Sequence, residues 1–349
     1  MVNMNILSGV SDSFGLDIGT TAIRVVELKD NAGAKVLQRY GYAPIDSKLV
    51  GSDAPADQLK VAIVIKELIA QAKITTKNVA VGIPSQRVFT TVVDIERLSN
   101  TDLAKSIKYQ ADSLIPTPLA ESKIDWALIG DSPVDKTKVE VLLSSVPNEY
   151  VEKRLEMLEL IGLNVIAFEP DGMALARSVM NSDSKGGRMV IDIGNLSTDL
   201  VITIDGVPRL TRSITTGLDA ITRAAMQNLN VDQAQAQQFV NKFGLSKEKL
   251  EGQVLQAITS TVEVLMSEVE KSIKFFNTRY AGVSIEQLIV TGGASVIPEL
   301  PLYMANRFSL NVEIGNPWSR VAYPRDRQNE LLSLSNQFGV AVGLAERAT

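Results

Sequence analysis

Two stretches of the chain share one alternation of apolar runs and small polar turns. The first, FGLDIGTTAIRVVEL at 14–28, closes on Asp17 and Gly19, passes two threonines and turns apolar again. The second, GRMVIDIGNLSTDLVITIDG at 187–206, repeats this around Asp192 and Gly194. Short apolar runs rich in β-branched residues and bounded by Gly, Asn and Asp predict strands joined by tight turns. The aspartates stand 175 positions apart, about half the chain, which is the mark of an internal duplication.

The remaining pattern fits alternating strands and helices. Residues 14–29 and 35–43 read as strand with a turn at Asp30-Asn31-Ala32-Gly33, and LKVAIVIKELIAQA (59–72) as a helix leading into the strand NVAVGIP. Between about 79 and 150 the texture changes. RVFTTVVDIE, SKIDWALIGD and TKVEVLLSSVP predict strands around one helix, TDLAKSIKYQADSLIP, with Asn100 as its N-cap and its end before Pro116. Prolines 84, 116, 118, 133 and 147 punctuate this piece as they would an inserted subdomain. Beyond it come a helix stopped by Gly162, the strand LNVIAFE, a helix at 171–181 and a flexible link, NSDSKGGR. A mostly helical segment fills 249–280, EQLIVTGGASVIPELPLYMANRF reads as strand, glycine turn and helix, and NQFGVAVGLAERAT as a small-residue helix.

Composition narrows the chemistry. The chain has 349 residues, enough for two or more cores, and is 45% hydrophobic and 21% charged. A formal charge of −5 without a basic cluster speaks against nucleic acid. No apolar run approaches the ~20 residues that cross a bilayer, and MVNMNILSGV is no secretory leader, so a cytoplasmic protein is expected. With no cysteine and no histidine, disulfides, Cys/His zinc sites and Ser-His-Asp catalysis are excluded. Phosphate chemistry run by carboxylates, backbone amides and Mg²⁺ needs neither residue.

The twin turns suit such chemistry. Backbone N–H groups can face a phosphate chain where Gly19 and Gly194 leave room, with Thr20, Thr21, Asn195, Ser197 and Thr198 as further donors. Asp17 and Asp192 would repel phosphate directly but can hold a hydrated Mg²⁺ that bridges to it. The plain alternative is two ordinary β-hairpins with turn aspartates. A third turn, Gly292-Gly293-Ala294, would let a base or ribose approach the backbone. Gly217 opens LDAITRAAMQNL, which suits either a phosphate-facing helix start or generic capping. Arg24 either approaches the phosphates or faces solvent on a strand edge. Gly130 to Thr137 imitates a Walker loop, but Asp135 stands where the second glycine belongs, so it reads as a hairpin turn.

DIGTT, DIGNLSTD and VTGGAS together resemble the two phosphate loops and the adenosine loop of the actin, DnaK-type chaperone and sugar kinase ATPases. The resemblance spans the chain. It implies an α/β, actin-like ATPase fold: two duplicated α/β domains around a nucleotide cleft, with helices on both faces of each sheet. The AVGLA-type helix at Val340–Ala345 would pack across that cleft. The insert resembles that of the FtsA and PilM families. Tyr109 to Glu121 with Ile124-Asp125-Trp126, Phe168-Glu169-Pro170 with Ala174 and Arg177, and Glu268 through Phe276 are similar to the PilM pattern. Thr117 and Lys271 depart from it, where Phe and Arg are commoner. The lobes implied are 12–78 with 151–185, the insert 79–150, a second lobe 186–225 with 286–349, and a helix-rich 226–285.

The resemblance to PilM implies a type IV pilus assembly protein that binds ATP and Mg²⁺, with Glu268 and Lys271 at the adenosine unless they form a solvated i,i+3 pair. It also implies that the N-terminal cytoplasmic peptide of a PilN-like membrane protein is bound between the first lobe and the insert. Pilus motor ATPases are further partners, and self-association is open. Hydrolysis is expected to be slow or absent: Glu169 and Asp171 are candidates to position water, or Glu169 is structural. The alternatives are an FtsA-like filament protein, which would need a C-terminal membrane helix for which Arg347-Ala348-Thr349 leaves no length, and a small-molecule kinase, for which no dedicated base is evident.

Overall fold

The computed structural model describes residues 12–181 and 185–347. Most of the opening segment, part of the expected link at 181–188 and the last two residues lie outside them. Numbered along the chain, the strands begin with β1 (Phe14–Ile18), β2 (Ala22–Asn31), β3 (Ala34–Pro44) and β4 (Asn78–Ile83). The insert supplies β5 (Phe89–Glu96), β6 (Ser122–Asp131) and β7 (Lys138–Pro147), and β8 (Asn164–Pro170) follows it. The second half gives β9 (Gly187–Ile193), β10 (Thr198–Ile204), β11 (Val207–Ile214), β12 (Ile285–Thr291), β13 (Asn311–Ile314) and the short β14 (Val321–Ala322).

Two sheets share a plan. One runs β14-β3-β2-β1-β4-β8, the other β11-β10-β9-β12-β13. In each, the central strand pairs antiparallel with the next strand in sequence and parallel with a later one. The duplication read from the sequence is therefore a duplication of topology.

The chain divides into two compact units: 1–84, 148–179 and 316–349, and 85–147 with 180–315. This differs from the expected lobes in two places. The C-terminal stretch belongs with the first unit, because β14 pairs with β3 and Trp318, Phe338 and Ala341 join Val26 and Leu28 in one core. The insert belongs with the second unit.

In the first unit β1 alternates. Phe14, Leu16 and Ile18 enter the core under the helix Pro55–Gln71, while Gly15 meets the terminal helix Gly339–Arg347. A Cβ at Gly15 would lie 2.3 Å from the Ala341 carbonyl oxygen, and one at Gly343 would lie 1.8 Å from that of Ala174. The small-residue stripe thus lets the terminal helix touch backbone on two sides. Glu169, 3% exposed, accepts from Arg177 and pairs with Arg347 at 3.4 Å, and Arg177 Nη1 also donates to the Gly343 carbonyl at 2.7 Å. It fastens this helix, which is the structural reading of Glu169. Asp171 opens the helix Asp171–Val179 and occupies the space above Gly82.

Near the helix end, Glu346 accepts from Arg320 Nη2 through both oxygens at 3.1 Å. Burial pushes its carboxyl above the ordinary range, against the pull of Arg320. A raised folded-state pKa means the native state holds the proton more tightly, so this contribution is full below about pH 4.5 and lost as pH rises through the folded value. Glu346→Gln removes that dependence. The gap in thermal midpoint between variant and wild type should move in the variant's favour from pH 4.5 to 7, and a pH-independent gap would refute the assignment.

The second unit's core gathers Met189, Ile191 and Ile193 of β9 with Leu265, Met266 and Val269 of the helix Gln253–Arg279. The insert has its own small core, Ile95, Leu103, Ile107, Val141 and Leu143. Its helix Asn100–Leu114 is capped by Ser99, whose hydroxyl accepts from the Asp102 amide at 3.3 Å, one residue before the expected Asn100. The Walker-like segment is a turn. Ser132 Oγ accepts the amides of Val134 and Asp135, and Asp135 accepts that of Thr137.

Candidate functional site

The first glycine turn links β1 to β2. Gly19 N–H donates to the Ala22 carbonyl at 3.1 Å, and a Cβ at Gly19 would come within 2.9 Å of that oxygen. Thr20 is half-buried and Thr21 exposed. Asp17 sits directly opposite Arg24 in the hairpin register, so both side chains lie on one face. Arg24 Nη1 is 3.3 Å from Asp17 Oδ2 and both are buried; burial pushes the Asp17 carboxyl up while the guanidinium draws it down. Arg24 also donates to Ala22 O and Gln337 Oε1, each at 3.3 Å. β2 is flanked by β1 and β3, so the solvent-edge reading of Arg24 is excluded. Its guanidinium instead lies against Gly19.

The second turn repeats the backbone bond and the register of the first. Gly194 N–H donates to the Ser197 carbonyl at 2.9 Å, and Ile193 pairs with Thr198 as Ile18 pairs with Ile23. Asn195 and Ser197 are half-buried. Thr198 is fully buried and its hydroxyl donates to the Thr216 carbonyl at 2.7 Å, so it is spent inside the protein. Asp192 faces Asp199 across the hairpin, where the first turn has Asp17 against Arg24. Burial pushes the Asp199 carboxyl up.

The flanking elements brace this turn. The helix Leu218–Leu229 begins at Gly217, whose Cβ would clash with the carbonyls of Gly194 and Asn195 at 2.6 Å. Those carbonyls accept the amides of Leu218 and Asp219 at 3.0 and 2.9 Å. The helix start is docked on the turn, and two of its end amides are used there. The glycine pair divides its work. Gly292, at φ +86°, leaves room for Asp192 Oδ1 and the Ile193 carbonyl, at 2.5 and 2.4 Å from its absent Cβ, whereas a Cβ on exposed Gly293 would meet nothing within 4 Å. Ala294 is buried and donates its amide to Ile193 O at 3.1 Å. Thr291 Oγ1 donates to Asp192 Oδ1 at 3.1 Å. Farther along the unit Glu268 pairs with Lys271 at 2.5 Å, the i,i+3 contact, and with Arg212. Lys271 holds its carboxyl below the usual range, with Arg212 adding to the effect.

The family model for type IV pilus assembly protein PilM matches residues 15–349. The chain belongs to the PilM family. A PilM–PilN type IV pilus biogenesis complex has a chain of 25% identity with TM-score 0.83, over 96% of this chain and 98% of that one. Cell division protein FtsA of Neisseria meningitidis serogroup B (strain ATCC BAA-335 / MC58) is 24% identical over 392 residues, covering 95% of this chain and 89% of its own. MreB5 of Spiroplasma citri, solved with ADP, shares the fold at 14% identity and TM-score 0.55, over 95% and 94% of the two chains. The actin-like ATPase fold and a place in pilus assembly follow for this PilM-family chain.

Sequence reading missed the roles of three residues in these PilM-family turns. Asp199 stands inside the quoted DIGNLSTD, and counting the hairpin register would have set it opposite Asp192. Thr291 follows from the strand end. Arg212 pairs with a helix 56 positions away, and no local pattern marks that.

Proposed function

We propose that this chain binds Mg-ATP through its two glycine turns and captures the N-terminal cytoplasmic peptide of a PilN-like membrane protein. It would thereby act as an assembly protein on the cytoplasmic side of the pilus platform. The observation that carries the nucleotide reading is the repeated turn: the same glycine, the same N–H to carbonyl bond and an aspartate two residues before each, 175 positions apart. Exposed Gly293 and half-buried Thr20, Asn195 and Ser197 support it, each being accessible beside a turn. The partner reading is supported by the PilM–PilN complex among similar structures. Among the described residues no helix is long and apolar enough to cross a membrane, so attachment at the inner face would run through the partner.

The residues suit Mg²⁺ unequally. Asp192 shares its face with a second carboxylate, Asp199, a donor set that fits a hydrated Mg²⁺. Asp17 already has Arg24, which suits an anionic neighbour better. Bound there, Mg²⁺ would neutralise phosphate charge. Asp192 would orient its water shell, and the turn amides and Arg24 would hold the phosphate oxygens.

The test is calorimetric titration of Mg-ATP into wild type, Asp17→Ala/Asp192→Ala and the milder Asp192→Asn, with and without a synthetic PilN-like N-terminal peptide. Loss of a charged contact of this kind costs at least about tenfold in Kd. Saturable ATP binding weakened in both variants, together with peptide binding, is the expected result. ATP binding without peptide binding would return the FtsA-like and kinase readings. No ATP binding in well-folded wild type would make the twin turns a relic of the fold.

A further inference from the structure

A buried carboxylate, Glu140, is the hub of the contacts that fasten the insert to the second half of its unit. Glu140 on β7 is 1% exposed and stands directly opposite Asp94 of β5. Arg209 Nε lies 3.2 Å from Glu140 Oε2, and Arg279 Nη2 and the Tyr280 hydroxyl each donate to Oε1 at 2.9 Å. Arg279 Nη2 reaches Asp94 as well, at 3.1 Å. Two strands each place a bulge here. β11 skips Arg209 between Pro208 and Leu210 in its pairing with β10, and β6 skips Ile129 between Leu128 and Gly130 in its pairing with β7. The two bulged residues meet, Arg209 Nη2 donating to the Ile129 carbonyl at 2.8 Å. A bulge re-aims a side chain and frees a backbone group. Two of them converging on one contact mark a built junction.

Burying such a network is costly unless every charge is paired, and it adds less stability than apolar packing would. What it fixes is orientation. Both cations come from elements that meet a second time. β11 carries Arg209 and, three residues on, Arg212. The helix Gln253–Arg279 carries Arg279 and, eleven residues earlier, Glu268. Eleven residues are close to three full turns, so Glu268 and Arg279 share a helix face, about 16 Å apart. Arg212 pairs with Glu268 and donates to Ser272 Oγ at 3.2 Å. The same strand and helix are therefore tied by ion pairs at two places, Glu268 and the insert.

We propose that Glu140 is a latch that makes the insert move with the second half of its unit, and that β11 and the long helix couple it to the Arg212–Glu268 pair. The proposal rests on the nucleotide reading only in taking Mg-ATP as the ligand near Glu268. The latch itself is tested without ligand, by hydrogen exchange in the full chain.

Glu140→Gln keeps the shape and removes the charge. It should speed exchange of β5 and β7 amides about tenfold or more, the equivalent of losing charge-assisted bonds, with β9 and β12 unchanged. Arg209→Lys, a milder change, should give a smaller rise in the same amides if Glu140→Gln folds poorly. Arg212→Ala should raise insert exchange about threefold in wild type and add little in the Glu140→Gln background, since β11 and the helix both grip the insert at Glu140. Wild-type insert exchange in both Glu140→Gln and Arg209→Lys overturns the latch; a full, additive Arg212→Ala effect in the double variant overturns the coupling. Adding Mg-ATP separates the two readings. Protection of the β9–β10 turn with an unchanged insert refutes the coupling. Protection nowhere refutes nucleotide binding, and the ligand-free cycle then still decides the latch.

Discussion

Gly343→Val leaves little or no native protein. The Cβ it adds would lie 1.8 Å from the Ala174 carbonyl oxygen, 2.4 Å from its carbon and 3.0 Å from its Cα. Those atoms belong to the helix Asp171–Val179 and cannot rotate aside as a side chain can. On another side the terminal helix already touches β1 at Gly15, whose absent Cβ would be 2.6 Å from Ala345 N. The helix cannot retreat without breaking the Arg177–Gly343 hydrogen bond and the Glu169 pairs that hold it. Overpacking against movable side chains costs ~1–3 kcal/mol. Against fixed backbone we expect about 4 kcal/mol or more, a large share of the ~5–15 kcal/mol of a typical domain. Gly339→Ala is the internal control. Its Cβ meets the flexible end of Leu175, so about 1–2 kcal/mol is expected. Urea midpoints and soluble yield would report both, and a Gly343→Val midpoint equal to that of Gly339→Ala would contradict the close crossing.

Arg24→Met should cost about 3–5 kcal/mol, because it strands the buried Asp17 carboxylate without its cation. The methionine keeps much of the volume, so the loss is electrostatic and not a cavity. Two companions separate the causes. Arg24→Lys retains charge but loses the fork that reaches Ala22 O and Gln337, and should fall between. Asp17→Asn/Arg24→Met removes both charges and should recover a good part of the loss, giving a coupling of about 1.5–3 kcal/mol in a double-mutant cycle. Additive single effects in urea denaturation would mean that the pair does not stabilise the hairpin.

The turns were legible in the sequence because their requirements are local. A glycine with an aspartate two residues before it, flanked by apolar runs, specifies the β1–β2 and β9–β10 connections, and repetition at half-chain distance exposes the duplicated sheet. The small-residue helix read at Val340–Ala345 is there too, and Gly343 is where it touches the Ala174 backbone. What escaped depends on distant partners. Nothing near Arg24 says that its guanidinium reaches Gln337, 313 positions away. β14 has only two residues, too few to show a period, yet it carries the C-terminal stretch into the first unit. Nor does the insert's sequence say where it attaches, since Glu140 sits in an apolar strand and its cations lie 69 and 139 positions away. Gly292 was read as room for a ligand, but the close approach it permits is that of Asp192.

The two hairpins share backbone, register and turn bond, yet one sets an arginine opposite its aspartate and the other sets a second aspartate. A symmetric dimer of single lobes could not do this, because one gene would write the same residue into both copies. Joining the copies in one chain allows each to mutate alone. Grafting residues 189–206 over 14–31 would therefore yield a chain with two acidic turns and no arginine opposite the first aspartate.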